Sequence, residues 1–379
     1  MMRIAVVAHV RHPIAPPFAG GMEAHSWHLS RHLAARGHDV TLFASGDSAV
    51  DPPPGVRIHP MLETHYDVTY PWRRFQGTRA LTDYLDAVHA AAASDLATGP
   101  FDVIHNNCLH RYIPRLAVAH RLPMVTSLHV PPFAALHRAV HDGAASWTHF
   151  TTTSTKQMGR WWPEGAPMGA SILPNGIAVE DWPFVPEGDG SAVWSGRITP
   201  TKGCHLAARA ARIAGIPLTL YGTVEDDGYF RRDVQPLLGG DIVYGGHLQG
   251  AELAKRIGRA SVMLFTPLWD EPFGLAAIEA MATGVPVACT DMGATREVVG
   301  DCGAFAPPDA SDALASALLR ARAIPRRRCR DRVEQRFSVE MMIDRLESLY
   351  SRVRAASRPS RRTAPIFEPF KLRLDGPTM

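Results

Sequence analysis

A chain of 379 residues suits two domains of ordinary size, each long enough to bury its own core. Apolar residues make up 46% and charged residues 20%, a globular composition, and no apolar run approaches the ~20 residues of a membrane-spanning helix. The formal charge is only +3, and five cysteines, odd in number and without a C-x-x-C pair, argue against a disulfide framework or a zinc site and for reduced thiols in a cytoplasm.

The N-terminal run Ile4 to Ala8 is too short for a signal peptide and reads as a first strand. Strand-like runs then recur near 39–44, 102–105, 123–128, 148–153 and 170–173, alternating with helical stretches near 22–36, 74–97 and 109–121. The loop after the first strand ends in Gly20-Gly21 at a helix start. It reads equally as a plain βα turn or as backbone brought close to an anionic ligand. It lacks G-x-G-x-x-G, which disfavours a simple dinucleotide-binding domain. Further on, Tyr66, Tyr70, Trp72 and Arg73 form a cluster able to stack on or hydrogen-bond to a sugar, or to pack a loop. The strand 123–128 ends on His129 before a proline-stiffened loop, and Asn175-Gly176 is turn chemistry.

Residues 178–190, rich in Pro and Gly, read as a linker. A second series of strands near 191–195, 217–222, 241–244, 261–266 and 285–289 alternates with helices near 203–214, 250–259 and 275–283. This pattern predicts α/β architecture: two Rossmann-like domains with parallel sheets, facing across a cleft at their strand C-terminal ends. The expected division is 1–177, linker 178–190, 191–335, and a C-terminal helix with a basic tail over 336–379.

Arg197 and Lys202 stand five apart in a loop between a strand and a helix start, a site fit for a diphosphate. The chain has only four lysines, which singles out Lys202. Residues 270–284 follow a buried-looking run. Glu271 lies in their Pro/Gly loop, Phe273, Gly274 and Leu275 lead into a helix, and Glu279 lies inside it. Free N–H groups at that helix start suit phosphate, whereas two carboxylates suit hydroxyl groups, as on a sugar and a ribose. Glu225-Asp226-Asp227 is not a convincing metal site, and two cations make a divalent ion dispensable. No metal ligand is assigned and no cofactor is expected beyond the donor. The seven arginines between Arg320 and Arg332, and five more from Arg352 to Arg362, read as a solvated helix face and tail, or as a contact for an anionic surface. Aromatic residues are not interleaved with them, which argues against nucleic acid.

The run Glu271-Pro272-Phe273-Gly274-Leu275, then Glu279-Ala280-Met281-Ala282, Gly284 and Pro286-Val287, resembles the signature of retaining glycosyltransferases of the GT-B fold, in particular glycosyltransferase family 4. Gly196-Arg197 with Lys202-Gly203 is similar to that family's phosphate-binding motif. The resemblance covers roughly residues 3–310 and is loosest over 46–100. It implies that Arg197 and Lys202 hold the donor phosphates, that Gly20 and Gly21 meet the diphosphate, and that His129 lies near the reacting carbon. It also implies that the turn Gly245 to Leu248 cradles the base, that Glu279 accepts the ribose hydroxyls and that Glu271 orients the sugar. The implied activity is hexose transfer with retention from a nucleotide-diphosphate sugar, a UDP-sugar on family frequency, to an acceptor hydroxyl. That acceptor is a sugar, a lipid-linked group or a small molecule. The expected location is cytoplasmic, with at most peripheral contact at the inner membrane face through the basic C-terminal region. An epimerase on the same scaffold, or a silent nucleotide-sugar-binding protein, are the alternatives.

Overall fold

The computed structural model describes residues 1–357. The basic tail expected after the C-terminal helix lies outside the described residues from position 358, and with it Arg358, Arg361 and Arg362. The chain forms two compact units. The first comprises Met1–Thr152, Trp161–Ser171 and the chain from Ile343 onward; the second comprises Thr153–Arg160 and Ile172–Met342.

The first unit carries strands β1 (Arg3–Val7), β2 (Asp39–Ser45), β3 (Val56–Leu62), β4 (Val103–Asn106), β5 (Met124–Leu128), β6 (Thr148–Thr152) and β7 (Ala170–Ile172). Their order is β3-β2-β1-β4-β5-β6-β7, and β3 through β6 pair in parallel. Helices α1 (Gly21–Ala35), α2 (Trp72–Phe75), α3 (Arg79–Thr98), α4 (Tyr112–Ala119) and α5 (Ala134–Asp142) connect them. The helix expected over 74–97 is broken. Gly77 takes a positive φ of 74°, and the Thr78 hydroxyl then accepts from Leu81 N–H to start α3. Edge strand β3 escapes the strand pattern because it carries Pro60 and is only half-buried.

The second unit opens with α6 (Thr155–Trp161), whose last residue belongs to the first unit. Its strands are β8 (Ala192–Ser195), β9 (Leu218–Tyr221), β10 (Ile242–Tyr244), β11 (Val262–Phe265), β12 (Val287–Thr290) and β13 (Gly303–Ala306), in the all-parallel order β10-β9-β8-β11-β12-β13. Helices α7 (Cys204–Ala214), α8 (Asp227–Tyr229), α9 (Gly250–Arg259), α10 (Leu275–Ala282), α11 (Thr295–Val299), α12 (Ser311–Ala321), α13 (Arg326–Arg336) and α14 (Val339–Ser357) complete the described residues. Both faces of this sheet are buried, which is why its strands read as unbroken apolar runs. Ala192, Trp194, Val262 and Leu264 pack towards α7 and α12. Val193, Met263, Phe265 and Cys289 pack with α10 and α13 on the other face. In both sheets the order reverses beside the first strand of the unit, between β1 and β4 and between β8 and β11. Ligands of open α/β sheets bind outside the strand ends at such a point.

The arginines of α13 are not a uniform solvated face. Arg326 donates to the carbonyls of Val185, Gly258 and Ala260 at 2.7 Å each. Arg330 donates to Trp182 O at 2.7 Å and Ala282 O at 2.8 Å, and Arg332 to Glu297 O and Val298 O at 2.8 Å. Three cations thus satisfy the orphan carbonyls at the C-terminal ends of α9, α10 and α11 and complement their dipoles. Two of them also hold the segment 179–185 onto the second unit. The Pro- and Gly-rich stretch 182–190 is therefore packed: Val185 N–H donates to Thr283 O at 3.0 Å and Asp189 N–H to Arg259 O at 2.8 Å.

Candidate functional site

In the second unit, the strand β8 ends and the loop 196–203 carries Arg197 and Lys202 past the sheet. Gly203 closes this loop at φ +63°, where a Cβ would stand 2.3 Å from Thr266 O. Only glycine lets the start of α7 meet the end of β11 so closely. The contact is locked by the Thr266 hydroxyl, which donates to Lys202 O at 2.9 Å and Gly203 O at 3.0 Å, and accepts from Trp194 Nε1 at 3.0 Å. Lys202 Nζ consequently lies 2.6 Å from Glu271 Oε2. The same oxygen accepts from Trp269 Nε1 at 2.8 Å, and the lysine stands 5.3 Å from the Trp269 ring centroid. Glu271 is buried, and its backbone N–H and carbonyl abut Gly293 (φ +59°), whose Cβ would stand 2.3 Å from both. Arg197 is half exposed and pairs with Glu225 at 2.6 Å. Both expected phosphate ligands are therefore cations already balanced by a carboxylate.

Helix α10 opens on Gly274 in a left-handed conformation, φ +107°. Phe273 is buried edge-on against Phe337, with ring centroids 5.6 Å apart, and Pro272 O accepts from the Thr153 and Ser154 hydroxyls at 2.8 Å each. The loop before the helix is thus anchored, and Leu275 takes the first helical position. Glu279 is different. Its carboxylate has no hydrogen-bond or ion-pair partner among the described residues, and burial pushes its pKa up to about 7. Leu248 packs against the core of α10 and follows the turn in which Gly222 N–H donates to Gly246 O at 2.9 Å. Of the acidic run, Glu225 serves Arg197 and Asp226 caps Tyr229 N–H at 2.9 Å.

In the first unit, Gly20 is the extended N-cap of α1 and Gly21 its first residue. Two residues on, the buried Glu23 accepts from His9 Nε2 at 3.0 Å. Burial alone raises such a carboxyl, but the His9 hydrogen bond and charge outweigh it and hold Glu23 down to about 2. The positive end of α1 is therefore already answered by one internal anion. His129 follows β5 and places Nε2 3.1 Å from Asn107 Oδ1. Its ring centroid lies 4.4 Å from that of His25. Burial, together with the neighbouring His105 and His9, pushes the His129 pKa down to about 3, so the ring is neutral at physiological pH. His105 is lowered to about 4, also by burial.

The expected acceptor cluster divides. Tyr66 is buried with Val10 and Leu81, and the half-buried Tyr70 packs against that group. Trp72 and Arg73 are exposed on α2. Trp72 lies under Arg11, 5.4 Å from guanidinium to ring centroid, while Asp67 Oδ1 accepts from Arg11 Nε at 3.2 Å and Trp72 N–H at 2.8 Å. The residues that sequence reasoning passes over are Trp269, Asn107, His105 and Tyr350, and Glu225, weighed there only as a metal ligand, is the partner of Arg197. Only Trp269 stood within reach, adjacent to the Asp270–Glu271 motif; the others partner the site through long-range contacts that no local pattern marks.

Residues 19–181 match the family model described as Glycosyltransferase Family 4, and residues 183–336 match that of Glycosyl transferases group 1. A phosphatidyl-myo-inositol mannosyltransferase of Mycolicibacterium smegmatis is 27% identical over 341 residues, 84% of each chain. A glycogen synthase of Mycobacterium tuberculosis is 27% identical over 363 residues, 84% of this chain and 85% of its own. Among solved structures, Anabaena HepE in complex with UDP and glucose superposes with a TM-score of 0.70 at 17% identity, over 93% of this chain and all of that one, which speaks for the fold.

Proposed function

Since the chain belongs to glycosyltransferase family 4 and has the GT-B fold, we propose that it moves a hexose from a nucleotide-diphosphate sugar, a UDP-sugar, to an acceptor hydroxyl with retention of configuration. The observation that carries the donor assignment is Glu279. A carboxylate shielded enough to be raised to about 7, and without a partner among the described residues, sits on α10, and the loop before that helix carries Glu271, 2.6 Å from Lys202. Such a group gains most from a ligand that brings two hydroxyl donors at once, as a ribose does.

The chemistry follows from charge. Breaking the anomeric carbon–oxygen bond leaves positive charge on the sugar and negative charge on the leaving diphosphate. A hydrolase meets the poor leaving group with a positioned acid, whereas a diphosphate calls for electrostatic stabilisation. Arg197 and Lys202 supply it, with the free N–H groups at the start of α10. Lys202 and Trp269 hold the Glu271 carboxylate in place for the sugar it orients. His129, kept neutral by burial, adds no positive charge where the sugar itself becomes positive. No divalent ion enters this scheme.

The acceptor side is assigned to the first unit, with Trp72 and Arg73 as the exposed stacking and hydrogen-bonding groups. The relatives named above act on a phosphoinositide lipid and a glucan, so the acceptor class is left to screening with the donor in hand. The donor assignment is tested by calorimetry with UDP, GDP and ADP and their glucose conjugates. One nucleotide binds at micromolar Kd, and Arg197→Ala and Glu279→Ala each weaken it roughly tenfold, about 1.4 kcal/mol. Absence of binding, or wild-type affinity in both variants, removes the assignment.

A further inference from the structure

Tyr350 of α14 and His105 of β4 are 245 residues apart in sequence, and the Tyr350 hydroxyl lies 2.7 Å from His105 Nδ1. Both side chains are fully buried, so no water substitutes for this bond. Burial also lifts the phenol well above its usual pKa, which keeps it a donor. His105 Nδ1 therefore accepts, and the neutral ring carries its proton on Nε2. That N–H faces Asn107 Oδ1 at 2.9 Å, with Ser127 Oγ at 3.2 Å beside it and Thr151 Oγ1 2.9 Å beyond. Asn107 is buried too, and its amide is oriented by Nδ2 donating to Ser26 Oγ at 3.3 Å. An amide oxygen can only accept, so its second neighbour, His129 Nε2 at 3.1 Å, is also an N–H. Nδ1 of His129 is left with a lone pair and no partner among the described residues.

We propose that Tyr350, His105 and Asn107 are positioning residues that hold His129 as its Nε2–H tautomer, so that Nδ1 is presented as a neutral acceptor for a sugar hydroxyl. The role for the sugar rests on the reading of His129 as a sugar contact; the tautomer itself does not. The arrangement is a second layer of order behind one imidazole, and it extends from the middle of the first unit's sheet to α14.

The test is two-bond 1H–15N correlation spectroscopy of the imidazoles in the full chain, with His129→Asn used to assign the ring. In wild type at neutral pH, His129 shows one neutral tautomer with its proton on Nε2. Tyr350→Phe converts His105 and His129 to mixed tautomers, seen as the two nitrogen shifts of each ring moving together. Asn107→Leu does the same to His129 and stands in if Tyr350→Phe does not fold. A proton on Nδ1 of His129 in wild type overturns the proposal without any variant. So does an unchanged His129 spectrum in a folded Tyr350→Phe or Asn107→Leu protein. If the tautomers behave as stated while His129→Ala retains full transferase turnover, the positioning stands and the sugar contact falls.

Discussion

Glu279 combines a long-range consequence with a simple sign. Its folded pKa, about 7, lies above the unfolded value, so the folded protein binds the extra proton and stability falls as pH rises from the carboxylate range through 7. Glu279→Gln removes this dependence. It raises the melting temperature at pH 8 relative to wild type, by an amount on the order of 1–3 kcal/mol in stability, and leaves it nearly unchanged at pH 4. Ligand binding runs the other way. Ribose hydroxyls donate to the ionised form, so affinity for UDP-glucose rises with pH between 6 and 8, approaching tenfold per unit at the acid end, and the slope disappears in Glu279→Gln. A pH-independent Kd in wild type argues against the ribose contact. Lys202 and Glu271 give a second residue-level test. Lys202→Met strands a buried carboxylate and costs about 3 kcal/mol. Lys202→Met with Glu271→Gln recovers much of that in urea unfolding, while UDP-glucose binding stays impaired. Equal losses in the single and double variants contradict a buried, paired carboxylate.

At the scale of elements, the arginines of α13 separate by direction. Arg326 meets three carbonyls at 2.7 Å, whereas Arg327, one residue on, is exposed and pairs with Asp331 at 2.7 Å. Arg326→Ala is expected to cost about 3 kcal/mol in unfolding free energy, and Arg327→Ala less than about 0.5 kcal/mol. Similar costs for the two mean that the carbonyl clamp contributes little. This division explains what was legible. A run of arginines with Cys329 and Val333 as its only buried side chains has almost no apolar periodicity, and direction is fixed only by the carbonyls waiting on α9, α10 and α11. The motifs at 196–203 and 271–287, by contrast, are punctuated by glycines and prolines whose backbone demands are local, so loop, helix start and charge order could be read directly. Gly293 illustrates the limit: its value lies in touching Glu271, 22 positions away, and nothing beside it in sequence says so. Strand β13, Gly303–Ala306, was missed for a related reason, since a four-residue edge strand with one large apolar side chain, Phe305, among glycine and alanines carries little hydrophobic pattern. Tyr66 and Tyr70 show the converse, aromatic residues whose composition suggests a sugar platform, of which Tyr66 is buried and Tyr70 half-buried against it.

For the whole molecule, all five cysteines are buried. Burial raises Cys108 to about 12 and Cys204 to about 11, well away from the thiolate that reacts. Titration with a thiol reagent should therefore modify Cys108 and Cys204 only slowly in the native protein and all five in denaturant. Rapid native modification of one or more locates a segment that opens. The path of the chain between the units is the remaining feature with a practical edge. The second unit borrows residues 153–160 from within the first half, and the first unit reclaims the chain from Ile343 onward. A hybrid enzyme spliced once, at 178–190, would thus pair the first unit with a foreign α14 and its Tyr350 counterpart, while leaving the second unit a foreign 153–160. Whole units are exchangeable in this protein only by a graft with four seams, at 152/153, 160/161, 171/172 and 342/343, and a library built on one seam would sample mismatched units.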